Sequence, residues 1–123
     1  MKFLMSLLGL IFFLSQPLAA QEEVARMVSG KSLSEAEKAG QKLFLQRCSV
    51  CHLGVPPNYE TYGPSLVNAK ELIADIGEDS AREIIMQGAG RGSRRMPGFQ
   101  YSLKPADIDK IISFLKTRER KSD

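Results

Sequence analysis

Two stretches rich in glycine and proline, residues 48–67 and 88–98, constrain this chain more than anything else in it. The first contains Gly54, Pro56, Pro57, Gly63 and Pro64, and the second runs from Gly88 to Gly98 with three arginines inside it. Neither shows helical or alternating periodicity, so both read as long loops. The segments between them are helical. Ser34-Glu35-Ala36-Glu37 reads as a capping box, after which Ala36, Ala39, Gly40, Leu43 and Phe44 recur at helical spacing to about Arg47. Asn68 to Ile76 forms a short helix stopped by Gly77. Asp79 or Ser80 caps another, which carries Ile84, Ile85 and Met86 and closes at Gly88. Pro105 opens the last, with Ile108, Ile111, Ile112, Phe114 and Leu115 on it. No segment alternates like a strand. The expected fold class is all-α: about four short helices joined by two long loops.

The length of 123 residues suits one small domain, and its first twenty residues stand apart. Lys2 precedes an almost unbroken apolar run from Phe3 to Leu14, and Gln16-Pro17 and Ala19-Ala20 follow. This is the layout of a secretory signal peptide over residues 1–20, with cleavage expected near Ala20. The alternative, an uncleaved anchor, needs about 20 apolar residues to span a bilayer. Residues 21–33 read as a polar, loosely ordered lead-in, residues 34–118 as the globular domain and residues 119–123 as a polar tail. Export places the chain in an oxidising compartment, where two free thiols are not expected to persist. Four short helices bury little apolar surface, and a domain of this size is only marginally stable. Something else must fill the middle, and a large apolar cofactor would explain both the thin core and the long loops.

Cys48-Ser49-Val50-Cys51-His52 supplies the means of holding one. Cys-x-x-Cys-His is the attachment signal for c-type haem. Two thiols three residues apart can add to the two vinyl groups on one porphyrin edge, and the next residue then brings an imidazole to the iron. Three other readings compete. Structural zinc wants four ligands, and the chain has two Cys and one His. A thiol–disulfide redox pair usually lies beside a βαβ pattern, which is missing here. A plain disulfide would leave the thin core unexplained. One covalently bound haem c accounts for all three observations.

His52 is the only histidine, so a second imidazole cannot be the sixth ligand. Methionines remain. Met1 and Met5 leave with the signal peptide, Met27 precedes the first helix, and Met86 falls at helical spacing with Ile84 and Ile85, as a core or pocket-wall residue does. Met96 lies in the loop Arg95-Met96-Pro97-Gly98-Phe99, where the chain can approach iron closely and Pro97 favours an extended Met96. The expected metal ligands are His52 and Met96.

From here the chain resembles a small class I, monohaem c-type cytochrome. The resemblance covers roughly Leu33 to Thr117. It rests on Cys48, Cys51 and His52, then Gly63-Pro64, then Met96-Pro97, then a last helix ending Ile111-Ile112-Ser113-Phe114-Leu115-Lys116. It implies a small cytochrome c fold wrapped around the haem. It implies that the Pro64 carbonyl accepts a hydrogen bond from His52, and that the first and last helices cross with Gly40 at the contact and Phe44 near Ile111 and Phe114. The loop between His52 and Gly63, with its two prolines and two tyrosines, is where the chain departs from the family's pattern. Tyr59 or Tyr62 could donate to a haem propionate, or either could be a surface aromatic.

His/Met ligation leaves no open position at the iron, so the expected work is one-electron transfer and not catalysis; a thioether ligand raises the potential above that of a bis-His site. A peroxidase would need an open site and a distal acid–base group. From Arg91 onward there are nine basic and four acidic residues, whereas residues 21–90 hold seven basic and ten acidic. Arg91, Arg94 and Arg95 flank the Met loop, where they bind haem propionates, steer an acidic partner, or both. Nucleic-acid binding is not expected, because aromatics are not interleaved with the basic residues. The chain is expected to be a monomeric periplasmic electron carrier without stable membrane insertion. Within that class it resembles small cytochromes that take electrons from periplasmic dehydrogenases, such as quinoprotein alcohol dehydrogenases, which implies such a donor, with an oxidase or another cytochrome of the respiratory chain as acceptor. The alternative is a haem-binding subunit permanently bound to one such dehydrogenase.

Overall fold

The computed structural model describes residues 32–53 and 62–119, together with Ala25, Met27 and Ser29. The segment read as a signal peptide, Tyr59 and the tail beyond Glu119 lie outside the described residues. Helix α1 (Glu35–Arg47) starts at the predicted box. The Glu37 N–H donates to the Ser34 hydroxyl at 3.2 Å, and the Ser34 N–H donates to the Glu37 carboxylate at 2.7 Å. Two donors that a helix start leaves without partners are thereby satisfied. The hydrogen bond from the Ser34 backbone also holds the Glu37 carboxyl below its ordinary range.

The first long loop begins later than the sequence suggests. One further helical turn, α2 (Ser49–His52), follows α1 directly. No glycine or proline intervenes before Gly54, the Cys48 N–H still reaches the Phe44 carbonyl at 2.8 Å, and the Ser49 hydroxyl donates to the Leu45 carbonyl. Helix α3 (Ala69–Ile76) ends at Gly77, whose φ is +84°. Helix α4 (Glu78–Gln87) starts at once, which corrects the expected caps. Gly77 is the N-cap, and Asp79 and Ser80 lie inside the first turn. The Asp79 carboxylate is engaged by Arg82 instead, and Arg82 also reaches Asp109 on the last helix.

A 3-10 turn (Gly92–Arg94) interrupts the second loop, and helix α5 (Pro105–Lys116) closes the fold. Among the described residues the only strand-like feature is one antiparallel bridge, Ala89 to Met96. The fold is all-α.

Helices α1 and α5 form the frame. A Cβ at Gly40 would collide with the Lys110 carbonyl, so the two backbones touch there and only glycine fits. One turn on, Phe44 and Phe114 meet with ring centroids 5.7 Å apart and planes tilted by 48°. The Arg118 guanidinium lies over the Phe114 ring, 4.9 Å from its centroid. Ile108, Ile111 and Ile112 are buried with them, and Val67, Ala69, Ile73 and Ile85 extend the core to α3 and α4. The lead-in is not wholly loose: Met27 is fully buried in this core, and its carbonyl accepts a 2.7 Å hydrogen bond from the buried Gln41 amide. That bond satisfies a polar side chain which burial would otherwise penalise.

Candidate haem site

The turn α2 carries Cys48 at its cap, Cys51 within it and His52 at its end. Their spacing on one turn brings all three to the same end of α1. Cys48 is buried and Cys51 half-buried, and the two are not joined as a disulfide. Burial pushes the Cys48 thiol up to about 11, so at neutral pH it keeps its proton.

His52 is buried, and Nδ1 lies 2.8 Å from the Pro64 carbonyl oxygen, the bond that the resemblance implies. A carbonyl can only accept, so Nδ1 carries the proton and Nε2 is the bare nitrogen, the one able to bind a metal. The strand of chain from Gly63 to Leu66 is bound to α2 on both sides of this contact. The Gly63 N–H donates to the Cys51 carbonyl at 3.2 Å, and the Leu66 N–H to the His52 carbonyl at 3.0 Å. Gly63 lies against the imidazole itself: a Cβ there would fall 2.5 Å from His52 Cε1. Sequence reading paired Gly63 with Pro64 but could not see this contact. Nor did it find Asn68, which stands where a cap is expected but makes no capping bond and, among the described residues, holds its buried Oδ1 without a hydrogen-bond partner.

Met96 is half-buried, packs against the core, and is held extended by the bridge to Ala89. Met86, on α4, is likewise half-buried against the core. Arg94 sits exposed in the 3-10 turn between Arg91 and Arg95, and Tyr62 is mostly exposed at the other loop. Among the described residues no group of three or more His, Cys, Asp or Glu is arranged to hold a metal ion.

These residues fit haem c. Two thiols one turn apart are free to form thioethers, and the single histidine is oriented by its own hydrogen bond with Nε2 left bare. Close in sequence to the 63–66 segment, the buried Asn68 oxygen has no hydrogen-bond partner among the described residues, so a polar group of the cofactor would satisfy it.

Comparison with known proteins bears on the same stretch. A family model described as cytochrome C oxidase, cbb3-type, subunit III, matches residues 35–115. The chain is 32% identical to cytochrome c6 of Nostoc over 92 residues, which cover 71% of this chain and 75% of that protein. It is also 32% identical to the quinohemoprotein alcohol dehydrogenase ADH IIB of Pseudomonas putida over 85 residues, 69% of this chain but only 11% of the dehydrogenase. No solved structure matches the chain at a significant level. Among the described residues no helix is long and apolar enough to cross a membrane. The matched family and the cytochrome c6 likeness together place the chain: it belongs to the c-type cytochromes, as a class I monohaem protein that binds haem c covalently and serves electron transfer.

Proposed function

We propose that this chain is a periplasmic one-electron carrier, exported by cleavage near Ala20, in which Cys48 and Cys51 bind the haem covalently and His52 and Met96 ligate its iron. The observation that carries the reading is the buried, singly oriented His52, pinned through Nδ1 to Pro64 and packed against Gly63. When bound, haem c supplies one-electron exchange at its iron. The chain does the rest. Pro64 fixes the tautomer and orientation of His52 and raises its basicity as a ligand. The Met96 thioether is a soft ligand that favours the reduced state and raises the potential. With His52 and Met96 both holding the iron, the site would leave no vacancy for a substrate, which supports electron transfer rather than catalysis. The likeness to a quinohemoprotein alcohol dehydrogenase supports a periplasmic dehydrogenase as donor, with an oxidase or another cytochrome as acceptor.

A second reading has its own support. The matched stretch is a small part of that dehydrogenase, and the matched family is described as a subunit, so this chain could serve as the electron-transfer subunit of one dehydrogenase. Gel filtration of the native extract separates the two: a free carrier elutes as a monomer, and a subunit elutes with one dehydrogenase.

The ligand assignment is tested spectroscopically. The purified protein should exceed the mass of residues 21–123 by one haem, and the Cys48→Ala, Cys51→Ala double variant should carry none covalently. The oxidised protein should show the weak near-infrared sulfur-to-iron band. Met96→Ala should abolish the band and lower the potential, and Met86→Ala should preserve it. The reverse pattern would move the ligand role to Met86.

A further inference from the structure

The bridge at Met96 is part of a larger contact. The Met96 N–H donates to the Ala89 carbonyl at 2.8 Å, and the Ala89 N–H returns to the Met96 carbonyl at 3.2 Å. Just beyond, the Phe99 N–H donates to the Ile85 carbonyl at 2.9 Å and the Gln100 N–H to the Met86 carbonyl at 3.1 Å. Two of the last four carbonyls of α4, which a helix end leaves without partners, are therefore taken up by the segment that follows Met96. Two glycines make this possible. A Cβ on Gly88 would run into the Met96 carbonyl and lie 2.8 Å from the Gly98 nitrogen. A Cβ on Gly98 would lie 2.7 Å from both the Gln87 carbonyl carbon and the Met86 oxygen. Every atom met is backbone, so no side chain can turn aside to make room.

We propose that Gly88 and Gly98 are positioning residues for Met96: they seat its loop on the end of α4 at backbone contact, and this seat governs how readily Met96 leaves the iron. The proposal rests on Met96 as the sixth ligand, and the experiment keeps the two apart.

Gly98 is the better probe, because its φ is not positive and an alanine there meets only the contact. In Gly98→Ala the loop must lift from α4. The sulfur-to-iron band should weaken and the potential fall. Imidazole, which must displace the methionine to bind the ferric iron, should bind at least about tenfold faster, equivalent to about 1.4 kcal/mol. Gly77→Ala is the control. Its φ of +84° equals that of Gly88, yet a Cβ there meets nothing within 4 Å. It should lower the melting temperature and leave the band, the potential and the imidazole rate as they were. Gly98→Ala with band, potential and rate all unchanged would overturn the proposal, while a Met96→Ala protein that keeps the band would overturn the ligand assignment instead. If Gly98→Ala does not accumulate, the unaltered protein still decides. On warming, the band should fade together with protection of the Met96, Phe99 and Gln100 amides from hydrogen exchange. Amides that stay protected after the band has gone would refute the seat.

Discussion

The Nδ1 proton of His52 is committed to Pro64, and the ring can occupy this place only because residue 63 has no side chain. In Gly63→Ala the new methyl must displace either the imidazole or the 63–66 segment. Overpacking of this kind costs about 1–3 kcal/mol, which for a domain of this size corresponds to a melting point lower by about 4–8 °C per kcal/mol. The same displacement should loosen the Nδ1 hydrogen bond and make His52 a less basic ligand. The reduced iron is then relatively favoured, and the potential should rise. Thermal unfolding followed at the haem absorption, with a redox titration, reads both effects. A lower melting point with an unchanged potential would show that the segment moved and the ring did not. Most of this site was legible in the residues: the attachment motif, the single histidine and the Gly-Pro pair were all there to read. The pressure of Gly63 on the ring was not, because a glycine in a loop looks the same whether it faces solvent or an imidazole.

At the level of elements, the crossing of α1 and α5 decides whether the fold closes. Gly40 lies inside a helix, where alanine is ordinarily preferred by about 1 kcal/mol. The Lys110 carbonyl reverses that sign, since a methyl has no room between the backbones. Gly40→Ala should therefore destabilise the protein, and denaturant titration would show the midpoint falling; a rise would mean that the helices do not touch there. Phe44→Ala should cost about 3–5 kcal/mol, the usual loss for a buried phenylalanine. A double-mutant cycle with Phe114→Ala should return a coupling of about 0.5–1.5 kcal/mol for the tilted ring pair. The helices themselves were readable because their signals are local: the Ser34 box, Gly77, Gly88 and Pro105 all mark ends that occur in the fold. Features set by distant partners were not readable. Asp79 is engaged by Arg82 instead of capping, and the buried Met27 gives its carbonyl to Gln41 on another element. The Ala89–Met96 bridge likewise depends on glycines that sequence alone shows only as loop residues.

Over the whole molecule, charge and redox site are not independent. The basic surplus of the last third of the chain includes Arg91, Arg94 and Arg95, all exposed and all on the loop that ends at Met96. That loop is tethered to α4 through the backbone of Met96, so a partner drawn to the three arginines is drawn to the loop that carries the proposed ligand. Steering by such a patch raises on-rates by roughly 10-fold or more and fades with salt, as the Debye length is about 10 Å at 0.1 M. Replacing all three arginines with glutamine should therefore slow electron exchange with an acidic redox protein at low ionic strength. The two rates should converge as salt is added, in stopped-flow measurements across a salt series. Arginines that instead hold haem propionates would give another pattern, since removing positive charge beside the site alters the balance between oxidised and reduced iron. The potential would then shift while the salt dependence stayed nearly unchanged. Rates and potential both unchanged would reduce the patch to ordinary solvated charge with no part in the approach of the partner.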